Sequence, residues 1–282
     1  MLRTRVITAL VLVAIMFAAL ASASPWPFAL VALALFAAGA WEWGRLNQGG
    51  GAVAVVLGVL LALLGLAALL GSWRDAAPAW LWTLASMLWL VVGAVVLRRG
   101  PTAWPALPKA LRWAIGLAII GAAWLALVHA RAIGVNFLLS MLCVVWMADI
   151  AAYFGGRAFG RHKLAPSISP GKSWEGVWSG MAGVLLLALL WVALDRQFGF
   201  DGPSLYSRLG AALGWPLAAL ALLALAGLSV MGDLVESLVK RAAGAKDSSR
   251  LLPGHGGVLD RVDALLPVMP VTLALVAWGG AK

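Results

Sequence analysis

The sequence predicts an all-α fold: a polytopic transmembrane helical bundle of about nine helices, with its N-terminus on the cytoplasmic side. Three observations carry this. Of the 282 residues, 63% are hydrophobic and only 11% charged, whereas about a quarter of an average soluble chain is charged. Lipid must therefore be the solvent for most of the surface. The apolar residues fall into nine runs, each near the roughly 20 residues that a helix needs to cross the hydrocarbon core. Finally, Lys and Arg concentrate on one side of the membrane when those runs are taken as alternating crossings.

The runs are 6–22, 26–44, 52–71, 79–97, 111–129, 134–155, 176–195, 211–231 and 261–279. Helix breakers separate them: Pro25 and Pro27, Gly49-Gly50-Gly51, Pro78, Gly100-Pro101, Pro166 and Pro170, Gly202-Pro203, and Pro253. The first run follows Arg3 and Arg5 and precedes Ala21-Ser22-Ala23, the layout of a cleaved leader. Its length favours a spanning helix instead. No alternating strand pattern and no repeat of fixed period is evident. Trp26, Trp41, Trp43, Trp73, Trp80 and Trp104 lie near run ends, as interfacial belts require. The single cysteine, Cys143, excludes an intramolecular disulfide.

With the N-terminus inside, sixteen of the 21 basic residues fall on the cytoplasmic side, and only Arg74, Arg131, Arg196, Arg208 and Lys282 outside. A wrong segment count would scramble that asymmetry. In a soluble protein, the net charge of +10 would suggest nucleic acid. Here basic loops against anionic headgroups account for it, so membrane lipid is the expected partner and nucleic acid is not. The acids are divided differently. Residues 1–130 hold only Glu42 and Asp75, and the other nine lie beyond residue 148. This predicts N-terminal scaffold helices over 1–130 and a catalytic region with cytoplasmic motif loops over 131–282.

Within the second region, Asp149 interrupts an apolar helix, where a carboxylate costs about 2.5–3.5 kcal/mol on insertion scales. It should face a polar cavity and serve a metal, a proton or a substrate. Asp233, Glu236, Ser237 and Lys240 are spaced to share one helical face. Lys246-Asp247 then leads into Pro253-Gly254-His255-Gly256-Gly257 and Asp260-Arg261-Val262-Asp263. Glycines around a histidine let backbone approach phosphate oxygens. Asp260 and Asp263, three apart at a helix start, should face the same way and suit Mg²⁺ bridging phosphates. Lys246 and Arg261 supply neutralising charge. Upstream, Gly171-Lys172-Ser173 imitates the end of a phosphate-binding P-loop. Pro166 stands where the first glycine of that motif belongs, so the loop is a phosphate or headgroup clamp of another kind.

These residues resemble the phosphatidate cytidylyltransferases, the CDP-diacylglycerol synthases. The family signature is filled at every constrained position by Ser237, Val239, Lys240, Arg241, Lys246, Asp247, Ser249, Leu252, Pro253, His255, Gly256, Gly257, Val258, Asp260, Arg261, Val262 and Asp263. The stretch from Asp149 through Ala152-Tyr153-Phe154 to Lys172 and Glu175 is also similar. Ile150, Ala151 and Ser173 depart from the pattern.

The resemblance implies CTP and phosphatidate as substrates, Mg²⁺ as cofactor, and a role in phospholipid synthesis. It implies a bacterial inner-membrane enzyme with its active site facing the cytoplasm, with a homodimer as the oligomer to test. Asp233, Lys240, Arg241, Lys246, Asp260 and Arg261 are the expected catalytic residues. Asp149, Lys172, Glu236, Ser237, Asp247, His255, Gly256 and Gly257 are expected to bind substrate. Asp233, Asp260 and Asp263 are the expected metal ligands. Two rivals remain at this stage: an aspartate-rich membrane prenyltransferase, for which Asp260–Asp263 is one DxxD, and a transporter with intramembrane carboxylates.

Overall fold

The computed structural model describes residues 2–71, 73 and 77–280, without the side chains of residues 2–5. Arg74, Asp75 and Lys282 lie outside the described residues, as do the side chains of Arg3 and Arg5. The elements are α1 (Leu2–Ala21), α2 (Trp26–Leu46), α3 (Gly50–Leu70), α4 (Ala79–Arg99), α5 (Lys109–Ile133), α6 (Val135–Phe159), β1 (Lys163–Ala165), β2 (Ser169–Ser173), α7 (Trp174–Gln197), α8 (Leu205–Leu213), α9 (Trp215–Ala242), α10 (Leu259–Val262) and α11 (Leu265–Gly279). Seven of these helices, α2–α7 and α9, are long and apolar enough to cross a membrane, and shorter apolar helices cover Val6–Ala21 and Leu265–Gly279. The chain is thus an all-α polytopic membrane protein. Its outward surface carries Val56, Leu63, Leu189 and Leu220 at 59–71% exposure, tolerable only where lipid covers them.

Local chemistry sets the boundaries. Pro27 and Pro216 sit in the first turns of α2 and α9, where a missing N–H costs nothing. Ser173 and Ser204 cap α7 and α8, accepting from Gly176 N at 3.2 Å and Ser207 N at 3.3 Å. Between α6 and α7 the backbones touch. A Cβ on Gly155 would stand 1.9 Å from Ser179 Oγ, and one on Gly180 would stand 2.8 Å from the Ala148 carbonyl.

Hydrogen bonds tie helix ends together in two groups, as alternating crossings require. In one group, Trp43 Nε1 donates to Arg112 O at 2.8 Å, and Trp104 Nε1 to Asn47 Oδ1 at 2.8 Å. Thr8 Oγ1 donates to Pro253 O at 3.2 Å, bringing the start of α1 to the same end. In the other group, Arg131 donates to Leu20 O at 3.3 Å and Ser22 O at 3.2 Å, and Asp195 accepts from Asn136 Nδ2 at 2.9 Å and Ser204 Oγ at 2.5 Å.

Four details depart from the sequence expectation. Residues 163–173 form an antiparallel hairpin, with Lys163 opposite Ser173 and Ala165 opposite Ser169. Helix α9 runs on to Ala242, carrying the Asp233–Arg241 motif as part of the helix itself. The ninth run is broken at Asp263-Ala264 between α10 and α11. Trp43 and Trp104 are buried core residues packed edge to face at 5.9 Å, not belt residues, while Trp73 and Trp80 are 41% and 59% exposed.

Candidate active site

The site grows from the last three turns of α9. As the spacing demands, Ser237 Oγ donates to Asp233 Oδ1 at 3.2 Å, and Lys240 pairs with Glu236 one turn back. Each rung reaches a second element. Asp233 Oδ2 meets Lys172 Nζ of β2 at 2.6 Å. Lys240 Nζ donates to Asp260 Oδ1 of α10 at 2.6 Å. Glu236 is only 2% exposed, and its Oε1 has no hydrogen-bond partner among the described residues.

Two cavities flank this helix end. The first, of about 490 Å³, is lined by Asp149, Tyr153, Arg157, Lys172 and Asp233, so the intramembrane carboxylate does face a polar space. The hairpin that brings Lys172 here is held by Glu175, which accepts from the backbone N–H of Arg161 at 3.1 Å and of His162 at 3.2 Å. Arg241 also braces it, donating to Ile168 O at 3.4 Å and to Ala245 O at 3.2 Å. The second cavity, of about 660 Å³, is lined by Arg45, Lys246, Asp247, Ser248, Ser249 and Arg250. Lys172 and Lys246, both expected near phosphate, therefore open into different spaces.

The glycine loop serves the protein before any ligand. Asp260 Oδ2 accepts from Gly257 N at 2.7 Å, Ser248 N at 2.9 Å and Ser248 Oγ at 2.9 Å. Gly256 has φ +85, and a Cβ there would stand 2.7 Å from Asp260 Oδ2. One on Gly257 would stand 2.0 Å from Ser248 Oγ and 2.4 Å from Glu42 Oε1. Internal close packing requires these glycines. Arg261 Nε donates back to His255 O at 3.1 Å.

The two aspartates of the DxxD differ in their hydrogen-bond partners. Asp260 is engaged by Lys240 and the loop. Burial works against its charge, but the Lys240 ammonium and the Gly257 and Ser248 N–H groups outweigh it and hold the carboxyl below its ordinary range. Asp263 accepts from Ala264 N at 2.8 Å. Burial, and then the negative charge of Asp233, push its carboxyl up. Among the described residues, no group of three or more His, Cys, Asp or Glu stands close enough to hold a metal ion unaided.

One residue of the site went unforeseen. Glu42 of α2, fully buried, accepts four hydrogen bonds from the motif loop: Ser249 Oγ at 2.5 Å, Leu259 N at 2.8 Å, Val258 N at 2.9 Å and Ser248 Oγ at 3.1 Å. The signal was present, since a carboxylate within an apolar run is costly wherever it falls.

A helical membrane bundle whose carboxylates, ammonium groups and polar cavities converge at one end is an integral membrane protein equipped to handle anionic ligands at the bilayer edge. The chain belongs to the cytidylyltransferase family, whose model matches residues 3–278. It is 41% identical over 290 residues to the phosphatidate cytidylyltransferase of Pseudomonas aeruginosa, covering 99% of both chains. It is 37% identical to that of Haemophilus influenzae, covering 96% of both. Over 133 residues it is 49% identical to that of Brucella suis, covering 47% of this chain and 44% of the relative.

Proposed function

We propose that this protein transfers the cytidylyl group of CTP to phosphatidate, yielding CDP-diacylglycerol and diphosphate for phospholipid synthesis. The observation that carries this is the near full-length identity to proteins of that name, joined to a charged cavity at the end of α9. The reaction needs no strong base, because the phosphatidate phosphate is already an anionic nucleophile. Its oxygen bonds to the α-phosphorus of CTP, and the bond from that phosphorus to the α,β-bridging oxygen breaks, releasing diphosphate. The residues contribute positioning and charge neutralisation.

The donor set suits Mg²⁺. Asp233 and Asp263 repel one another, and Mg²⁺ is usually held by one or two carboxylates together with substrate phosphates. These two residues are the proposed ligands. When bound, the ion neutralises charge on the phosphates. Asp260, whose oxygens already take three donors and share the Ser248 hydroxyl with Glu42, instead fixes Lys240 and the glycine loop. Lys172 and Arg157 are placed to meet phosphate in the first cavity, while Lys246 and Arg45 meet it in the second. Tyr153, which lines the first cavity, and Phe154, whose ring centre lies 5.3 Å from that of Tyr153, are 61% and 64% exposed and offer an apolar approach for a lipid. A prenyltransferase would need both aspartates of the DxxD free for metal, and Asp260 is filled.

The site is proposed to face the cytoplasm from a bacterial inner membrane, in keeping with the clustering of Lys and Arg. Purified protein in detergent, given CTP and phosphatidate, should release diphosphate and form CDP-diacylglycerol only with Mg²⁺ present. Formation of neither product would overturn the reading. Cysteines at the exposed positions Ser167 and Arg250, with Cys143 removed, should be labelled from the cytoplasmic side. Labelling from the outer side alone would reverse the orientation.

A further inference from the structure

We propose that Glu42 is a positioning residue for this reaction: from the N-terminal half of the chain it holds the motif loop, and through the loop Asp260 and Lys240, in register with the substrates. The inference rests on the function proposed above.

Glu42 is fully buried in α2 and has no ion pair with a cation among the described residues. A buried carboxylate in that state is sustained only by hydrogen bonds. All four of its partners lie in the motif loop, at Ser248, Ser249, Val258 and Leu259. They come from both ends of the loop, so one side chain closes it like a clasp. Val258 and Leu259 immediately precede Asp260, and their N–H groups would otherwise be left unsatisfied at the start of α10.

Asp260 grips the same loop from the other side, at Ser248 and Gly257. The two carboxylates also share an atom. Ser248 Oγ lies 3.1 Å from Glu42 Oε2 and 2.9 Å from Asp260 Oδ2. A hydroxyl has one proton to donate, so it serves one carboxylate at a time. A change at Glu42 is therefore felt at Asp260, and beyond it at Lys240, which bonds Asp260 at 2.6 Å. Arg45, one turn further along α2, lines the second cavity with Lys246 and Arg250. The clasp thus also sets where that cation stands relative to the other two.

A residue serving only to fold the chain would change the yield or melting temperature of the protein and leave the kinetics of each folded molecule alone. A positioning residue changes the kinetics, and unequally for the two substrates. Steady-state rates in mixed micelles, normalised to monodisperse folded protein, separate these. Glu42→Gln keeps the size but turns one acceptor into a donor facing N–H or O–H groups. It should lower kcat by about a hundredfold, the scale of a 1 Å misplacement, and raise the CTP KM while leaving the phosphatidate KM nearly unchanged. Glu42→Asp, which keeps both acceptors, should recover part of the loss. Should both variants fail to fold, Ser249→Ala removes one donor to Glu42, together with the acceptor of Leu251 N, and is expected to raise the CTP KM about fivefold. Wild-type turnover with Glu42→Gln, or failing that Ser249→Ala, at wild-type CTP kinetics would overturn this inference alone. A wild-type protein without turnover would overturn the function proposed above and this inference with it.

Discussion

Around Lys172 and Asp233 the charged groups have few partners and a cavity beside them. Around Asp260 and Glu42, brought together from distant parts of the chain, each carboxylate takes three donors of its own and shares a fourth, the Ser248 hydroxyl. Both regions are rich in acids and glycines, and in sequence they look alike. Their physics differs. The first keeps part of its hydrogen-bonding capacity free, as a surface awaiting a ligand must. The second has spent it internally and is a rigid support. Substitutions should therefore separate along that line, losing chemistry without fold in the first region and both in the second.

The largest effect is expected at Asp233. It is half-buried with two polar partners, so Asp233→Asn should cost about 10²–10³-fold in turnover, the scale of losing one preorganised electrostatic group. Its melting temperature should remain near that of the wild type. A protein that unfolds instead would break the distinction between the two regions.

Asp260→Asn should lose turnover and stability together. Because the folded carboxyl lies below its ordinary value, its stabilisation is complete above the unfolded value of about 4 and is lost as pH falls through the lower folded value. The gap in melting temperature between wild type and variant should accordingly be full at pH 7 and narrow below about pH 4. A gap independent of pH would remove the charged hydrogen bonds from the account.

Gly257→Ala should lower the melting temperature by several degrees and raise the CTP KM about tenfold, because its methyl group meets Ser248 and Glu42 at impossible distances. A change in CTP kinetics with stability intact would assign the glycine to the ligand after all. The smallest effect is expected at Arg241, whose guanidinium, among the described residues, bonds backbone carbonyls alone, at 3.2 and 3.4 Å. Arg241→Lys should stay within about fivefold of wild-type turnover. A larger loss would move Arg241 into direct substrate contact.

Apolar runs of helical length were legible from the sequence because lipid imposes a single rule along each of them. The face shared by Asp233, Glu236, Ser237 and Lys240 was legible because helical spacing fixes it locally. What lay beyond local rules was missed. The hairpin at 163–173 has three- and five-residue strands whose pairing is set by Glu175 and the start of α7, not by alternation of apolar residues. Glu42 was assigned to the scaffold because its partners lie more than 200 positions away. The separate hydrogen-bond partners of Asp260 and Asp263 follow from where α10 ends, and a four-residue helix leaves no periodicity to read. The boundary between a scaffold over 1–130 and a catalytic region over 131–282 is crossed at its most buried charge, since Glu42 reaches into the motif loop.

Helix α9 has one further consequence. Its 28 residues measure about 42 Å at 1.5 Å each, against a hydrocarbon thickness of about 30 Å. A helix of that length can carry its charged end to the depth of the lipid headgroups. A phosphatidate molecule then meets the site by lateral diffusion within its own leaflet, without desorbing. Its saturation is governed by mole fraction in the membrane, while that of CTP follows bulk concentration. Diluting phosphatidate with neutral lipid at constant total phosphatidate should slow the enzyme, as no soluble enzyme acting on a dissolved substrate would be slowed.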